Sequence, residues 1–300
     1  MREREMIRLL QRKLPTIGDD AAVLPFGETH LVLTTDMLYR GSDIPEGARP
    51  WAIGWRAVAV SLSDLAAMGA RPLGVVLALG APRFDFERGL LEGVLEGALA
   101  CCDSVDAPYV GGDLSAHREL TLVSAAVGEA ERPVLRKGAR VGDLVCVTGA
   151  MGRTAAALKL FERGDRERAN RLFAFPPRVR EGRALAPYAT SLIDVSDGLA
   201  RSLHLLGEAG EVGFRVEYEA IPVVPEVEEL AQSAEERREM ALFWGEDFEL
   251  LFTLPPGYLR RAGEAVEFAV IGEVVPPSEG IRLEEAPGRA NPLEDRGYEH

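Results

Sequence analysis

Apolar positions along the chain follow two rhythms, one of helical period and one of short runs broken by Gly, Asp or Pro. From Pro50 to Gly69 nearly every residue is apolar or small, which is too long for a strand. This predicts a buried helix that carries one carboxylate, Asp64, stops at Gly69 and is followed by Pro72. Leu90, Leu91, Val94, Leu95, Ala98 and Leu99 keep helical spacing within Phe86–Cys102. Shorter runs predict strands at Leu31–Thr35, Leu73–Leu79, Pro108–Val110 and Leu120–Val127, after a first strand that follows the tight loop Gly18–Asp20. Further on, strands are expected at Leu144–Thr148, Leu192–Asp197, Val212–Glu217, Phe248–Thr253 and Phe268–Val274. Helices are expected at Thr154–Phe161, from Arg178, at Leu199–Ala209 and at Glu226–Met240. Gly164–Asn170 reads as a charged loop, and the chain reads as loop-rich from Pro276. Ile7, Leu10 and Leu14 suggest a short amphipathic helix near the start.

The first half opens with consecutive strands before helix and strand alternate. That order predicts an α+β unit, a sheet with helices on one face. The polar stretch Glu129–Gly142 marks the boundary, giving domains 1–130 and 131–300, the second of them α/β. The order strand, Gly149–Gly152, helix could direct backbone N–H groups at an anion, or could simply be a tight strand-to-helix turn.

Composition narrows the function. The 300 residues are 47% hydrophobic and 27% charged, with a net charge of −14. The negative balance argues against broad nucleic-acid or anionic-membrane binding and suits a site that recruits cations before it holds an anion. Cys101, Cys102 and Cys146 have neither zinc-ligand spacing nor a disulfide framework, which favours a reducing cytoplasm. The first residues lack the apolar core of a signal peptide, and no apolar run is long enough to span a membrane. There is no P-loop, no G-x-G-x-x-G after a strand, no kinase catalytic-loop signature and no G-x-S-x-G elbow. His30, His117, His204 and His300 are scattered.

What remains is a set of aspartates in small, apolar or Gly-rich surroundings: IGDDAAVL, TTDM, SLSDLAAMGA, YVGGDLS and IDVSDGL. Buried Asp is uncommon and costly without a cation. Asp20, Asp36, Asp64 and Asp113 are expected at strand or helix ends, where different elements converge. Asp194 and Asp197 lie three apart across a turn into a helix. Thr34 and Thr35 could add hydroxyl or backbone oxygens beside Asp36. Hard cations such as Mg²⁺ take such oxygen ligands, and this many carboxylates around a phosphate makes sense only with several ions. Arg136 is a candidate phosphate contact, or an ordinary linker charge.

Taken in order with GEDFELLFT, these stretches closely resemble the thiamine-monophosphate kinase family of the PurM-like ATP-binding superfamily, from about Ile17 to Tyr298. The resemblance implies a two-domain PurM-like fold whose N-terminal sheet forms a barrel with that of a second subunit in a homodimer. It implies ATP and several Mg²⁺ ions in a cleft between the domains, and transfer of the γ-phosphoryl group to thiamine monophosphate with no protein general base. By motif, Asp20, Asp64, Asp113 and Asp194 match magnesium ligands, Thr34, Thr35 and Asp36 supply more, and Asp197 matches a further metal site. Gly112, Asp113, Arg136 and Ser196 match nucleotide contacts, while Glu246 and Tyr298 match substrate contacts. Asp43 stands where the family usually carries a substrate-touching His. That departure keeps in view a sister enzyme that activates another small substrate with ATP; a further alternative, a non-catalytic nucleotide-binding module, is one that the full set of acids argues against.

Overall fold

The computed structural model describes residues 6, 9–10, 12–14, 17–86, 89–286 and 288–298. The expected N-terminal amphipathic helix falls largely outside them. Among the described residues no helix is long and apolar enough to cross a membrane.

The first domain is a five-stranded sheet in the order β1-β2-β5-β3-β4: β1 Ala22–Phe26, β2 Thr29–Tyr39, β3 Arg71–Ala81, β4 Tyr109–Ala116 and β5 Thr121–Ala130. Only β3 and β4 run parallel, and the helix α2 (Leu90–Ser104) provides the crossover that a parallel pair requires. Alternation along β2 sends Val32, Thr34 and Leu38 inward and leaves Leu33, Thr35 and Met37 exposed. The inward face packs on the long helix α1 (Pro50–Ala67). As the sequence pattern predicts, α1 ends where Gly69 (φ 65°) turns left-handed and Ala70 N–H donates to the Leu65 carbonyl at 2.9 Å. α1 and α2 approach backbone to backbone. A Cβ on Gly54 would lie 1.9 Å from the Val94 carbonyl oxygen, and one on Gly97 1.8 Å from that of Trp51.

The second domain is a seven-stranded sheet in the order β12-β11-β8-β10-β6-β9-β7. Its strands are β6 Leu144–Thr148, β7 Ser191–Asp194, β8 Gly213–Glu217, β9 Leu250–Leu254, β10 Phe268–Val275, β11 Ile281–Ala286 and β12 Arg289–Pro292. α1 also packs against β7 and the helix Val179–Leu185, so it lies between the two sheets.

Four expectations change. Gly164–Asn170 is not a loop: residues Arg166–Phe173 form a helix capped by the Asp165 side chain, with Ala169, Leu172 and Phe173 burying its apolar side. Glu226–Met240 is two helices, Pro225–Leu230 and Ala234–Leu242, because Ser233 breaks the run and caps the second one. The segment after Pro276 supplies two strands rather than loop. Asp36 and Asp113 lie inside strands instead of at their ends.

Candidate active site

Asp20 from the first loop, Asp64 from α1 and Asp194 from the end of β7 place carboxylate oxygens within 4.8 Å of one another. Each comes from a different element, and α1 between the sheets is what brings them together. Hydroxyls hold the acids in place. Thr34 Oγ1 donates to Asp64, Ser63 Oγ donates to Asp194 at 2.6 Å, and Ser61 Oγ donates to Asp36 at 2.7 Å while sharing a 2.6 Å bond with Ser124. Arg136 closes one side. Its Nη2 donates to Asp20 Oδ1 at 2.8 Å, and its backbone N–H donates to Asp19 at 2.8 Å.

The electrostatics suit a bound cation. Burial pushes the Asp64 carboxyl well above the usual carboxylate range, and the charges of Asp36, Asp194 and Asp20 push it further. Burial followed by the Asp20 charge lifts Asp194 to about 8. Burial likewise raises Asp20, although Arg136 opposes the shift. Asp20 Oδ2 is buried with no hydrogen-bond partner among the described residues. An all-oxygen donor set with a spare buried acceptor fits a hard divalent ion.

A second grouping lies where the loop Gly245–Asp247 meets the chain's last described residues. Glu246 adopts a left-handed backbone (φ 57°), with its N–H donating to the Ser196 carbonyl at 2.5 Å. Tyr298 N–H donates to the Asp197 carbonyl at 3.0 Å, so the terminal segment is tied down rather than frayed. Burial raises the Tyr298 hydroxyl, and the charges of Glu246, Asp43 and Tyr39 add to the shift while Arg56 opposes it. Asp43 Oδ2 accepts from Tyr39 N–H at 2.8 Å, and its Oδ1 is buried without a partner among the described residues.

Residues 18–130 match the AIR synthase related protein, N-terminal domain, and residues 140–283 match the AIR synthase related protein, C-terminal domain. A thiamine-monophosphate kinase of Halobacterium salinarum is 44% identical over the whole of both chains. The chain belongs to the thiamine-monophosphate kinase family. Another such kinase, from Pyrococcus horikoshii, is 35% identical over all of this chain and 96% of its own. A solved structure described as AaThiL complexed with AMPPCP and TMP superposes with a TM-score of 0.89 at 30% identity, covering all of this chain and 97% of that one. The resemblance read from the motifs holds, and so does the two-domain PurM-like fold.

The expected site residues of this family member are only partly gathered. Asp20, Asp64 and Asp194 converge, with Thr34, Asp36 and Arg136 at their edge, while Asp43, Ser196, Glu246 and Tyr298 surround the second grouping. Thr35 departs from expectation: strand alternation turns its side chain to the open face, where Oγ1 donates to the Ser124 carbonyl at 2.9 Å. Asp197 is not one of the three converging acids, and its carbonyl holds Tyr298. Gly112 and Asp113 also stand apart. Asp36 pairs with Ser124, Ser124 with Leu77 and Leu77 with Gly112, so three strand spacings, about 14 Å, separate β2 from β4. Asp113 is exposed on that outer strand. Residues that sequence reasoning left out of the site are Asp19, Ser61, Ser63 and Arg56. The signal for the serines was their alternation before Asp64 in SLSD. For Arg56 it was a lone cation in an otherwise apolar helix.

Proposed function

We infer that this chain transfers the γ-phosphoryl group of ATP to the phosphate of thiamine monophosphate, in line and with Mg²⁺ ions held by Asp20, Asp64 and Asp194. Membership of the thiamine-monophosphate kinase family supports the reaction, and the convergence of one buried and two half-buried aspartates around the spare Asp20 Oδ2 carries the metal reading. An oxygen of the acceptor phosphate forms the new bond to the γ-phosphorus as the bond to the bridging oxygen breaks, releasing ADP. Bound Mg²⁺ would neutralise charge on the transferring group and on both anionic reactants. The chain's own residues then have three tasks. Thr34, Ser61 and Ser63 fix the carboxylates, Arg136 offers a guanidinium beside the nucleotide's phosphates, and Ser196, Glu246 and Tyr298 align the acceptor. A phosphate monoester dianion needs no general base, and none is assigned.

A homodimer completes this reading. Leu24, Phe26, Leu33 and Met37 share one face of the first sheet, and each is 45–63% exposed. An apolar sheet face of this extent is costly to leave in water. Thr35 and Asp113 also lie exposed on this sheet. Closing two such faces together would bring Asp113 and Gly112 of the partner subunit to Thr35, which one chain alone does not do. The domain division near residue 130 and a cytoplasmic setting belong to the same reading, and three free buried cysteines agree with the latter. The test is ADP release and thiamine diphosphate formation with ATP, Mg²⁺ and thiamine monophosphate. Turnover that survives both EDTA and Asp64→Asn would overturn the metal reading.

A further inference from the structure

Arg56 is a fully buried arginine in the middle of the apolar helix α1. Its guanidinium carbon lies 4.4 Å from the ring centre of Phe173, 5.3 Å from Phe175 and 5.4 Å from Phe248. Phe175 and Phe248 stack on each other at 4.3 Å. Nη1 donates to the Phe173 carbonyl at 3.0 Å, and Nη2 lies 3.2 Å from Glu246 Oε1. Neither Nε nor Nη2 completes a hydrogen bond of good geometry among the described residues. The cation is therefore stripped of water and aimed at one carboxylate.

Glu246 is clamped everywhere except at its tip. Its N–H is held by the Ser196 carbonyl, and its own carbonyl accepts from Thr154 Oγ1 at 2.6 Å. The Glu246 side chain keeps 15% exposure, so its carboxylate is not wholly taken up by Arg56. Asp43 acts with Glu246 on the Tyr298 hydroxyl, and its Oδ1 is buried without a partner among the described residues. Two acids and one arginine leave this grouping with a net charge of −1. Thiamine monophosphate carries one fixed positive charge, on the thiazolium ring that bears its phosphorylated side chain.

We propose that Arg56 is a positioning and specificity residue: it fixes Glu246 with one oxygen turned to the substrate's cationic heterocycle and cancels the surplus negative charge there. This rests on the reading that Glu246 contacts the substrate. Arg56 precedes Asp64 by eight residues on the same helix, about 12 Å along its axis. One rigid element thus sets the distance between the metal-holding acids and the substrate's heterocycle.

A purely structural ion pair makes a different prediction. Replacing a buried pair's cation with a well-packed apolar side chain then changes stability and little else. The test is steady-state kinetics of full-length Arg56→Met, with Arg56→Gln as a second variant should the first not fold. KM for thiamine monophosphate is expected to rise about tenfold or more as Glu246 loses its fixed place against the substrate, with KM for Mg²⁺–ATP within about twofold. Arg56→Lys, which keeps the charge but neither the fork nor the stacking on the phenylalanine rings, is expected to recover only part of the loss. The dissociation constant of thiamine itself, which lacks the phosphate, should weaken in parallel. An unchanged KM for thiamine monophosphate in the folded variant, or an equal rise in both KM values, overturns the proposal. Glu246→Gln separates the two layers. If it leaves KM for thiamine monophosphate unchanged, the underlying reading of Glu246 fails. If it raises that KM while Arg56→Met does not, only the role of Arg56 fails.

Discussion

Ser63 donates its hydroxyl to Asp194 Oδ2 at 2.6 Å, although 131 residues separate them in sequence. This bond joins the central helix of the first domain to the end of a strand in the second, at the edge of the three converging carboxylates. Removing the donor should loosen Asp194 without removing a ligand. Ser63→Ala is expected to raise the Mg²⁺ concentration needed for half-maximal activity by about tenfold to a hundredfold, since a hydrogen bond to a charged group is worth about 1.5–3 kcal/mol. A Mg²⁺ titration of turnover checks it.

Asp64→Asn should separate function from stability. Asp64 is buried among Asp20, Asp36 and Asp194, so neutralising it removes repulsion in the metal-free protein. Metal-free Asp64→Asn is expected to melt higher than wild type, while turnover falls by at least about a hundredfold through loss of charge stabilisation. Calorimetry without Mg²⁺ and an ADP-release assay with it would measure the two effects.

The metal-free protein should lose stability as pH rises. Asp194 titrates near 8 in the fold against an ordinary 3.8. Between about pH 4 and pH 8 the folded state therefore holds a proton that the unfolded state has released. Folded protein binds more protons in that window, so raising the pH favours unfolding. Mg²⁺ bound by these acids would take the proton's place, and its stabilising effect should be larger at pH 8.5 than at pH 5.5. Melting curves with and without Mg²⁺ at the two pH values test this, and Asp194→Asn should flatten the difference.

If Asp113 of the partner subunit completes each site, two inactive variants should rescue each other. Asp64→Asn and Asp113→Asn, each inactive alone, are expected to regain up to about one quarter of wild-type activity after mixed refolding, because half of the randomly formed dimers carry one intact site. No recovery, with dimers confirmed by sedimentation, would place Asp113 in its own subunit's site or outside the site.

Gly54→Ala tests the helix crossing that sets the position of α1. The added methyl would sit 1.9 Å from the Val94 carbonyl oxygen, which is backbone and cannot swing aside. A loss of about 1–3 kcal/mol in stability is expected, read by urea unfolding, with the melting transition remaining cooperative.

Local patterning in the sequence already determined most of the elements and the chemistry of the site. Apolar period alone located the helix at Pro50–Ala67, its stop at Gly69 and most of the strands, because these choices depend on neighbours a few residues away. Aspartates in surroundings that penalise charge announced a cation site, since that penalty is a property of residue type and context. Tertiary structure alone decided which acids meet. Asp20, Asp64 and Asp194 come together because one helix lies between two sheets, while strand order holds Asp113 three strands from Asp36. Strand alternation in turn separated Thr34 from Thr35, and only packing between distant segments seated Arg56 in an aromatic box beside Glu246. Convergence of this kind depends on sheet order and helix placement, which arise from burial summed over the whole chain and leave no mark at any single position.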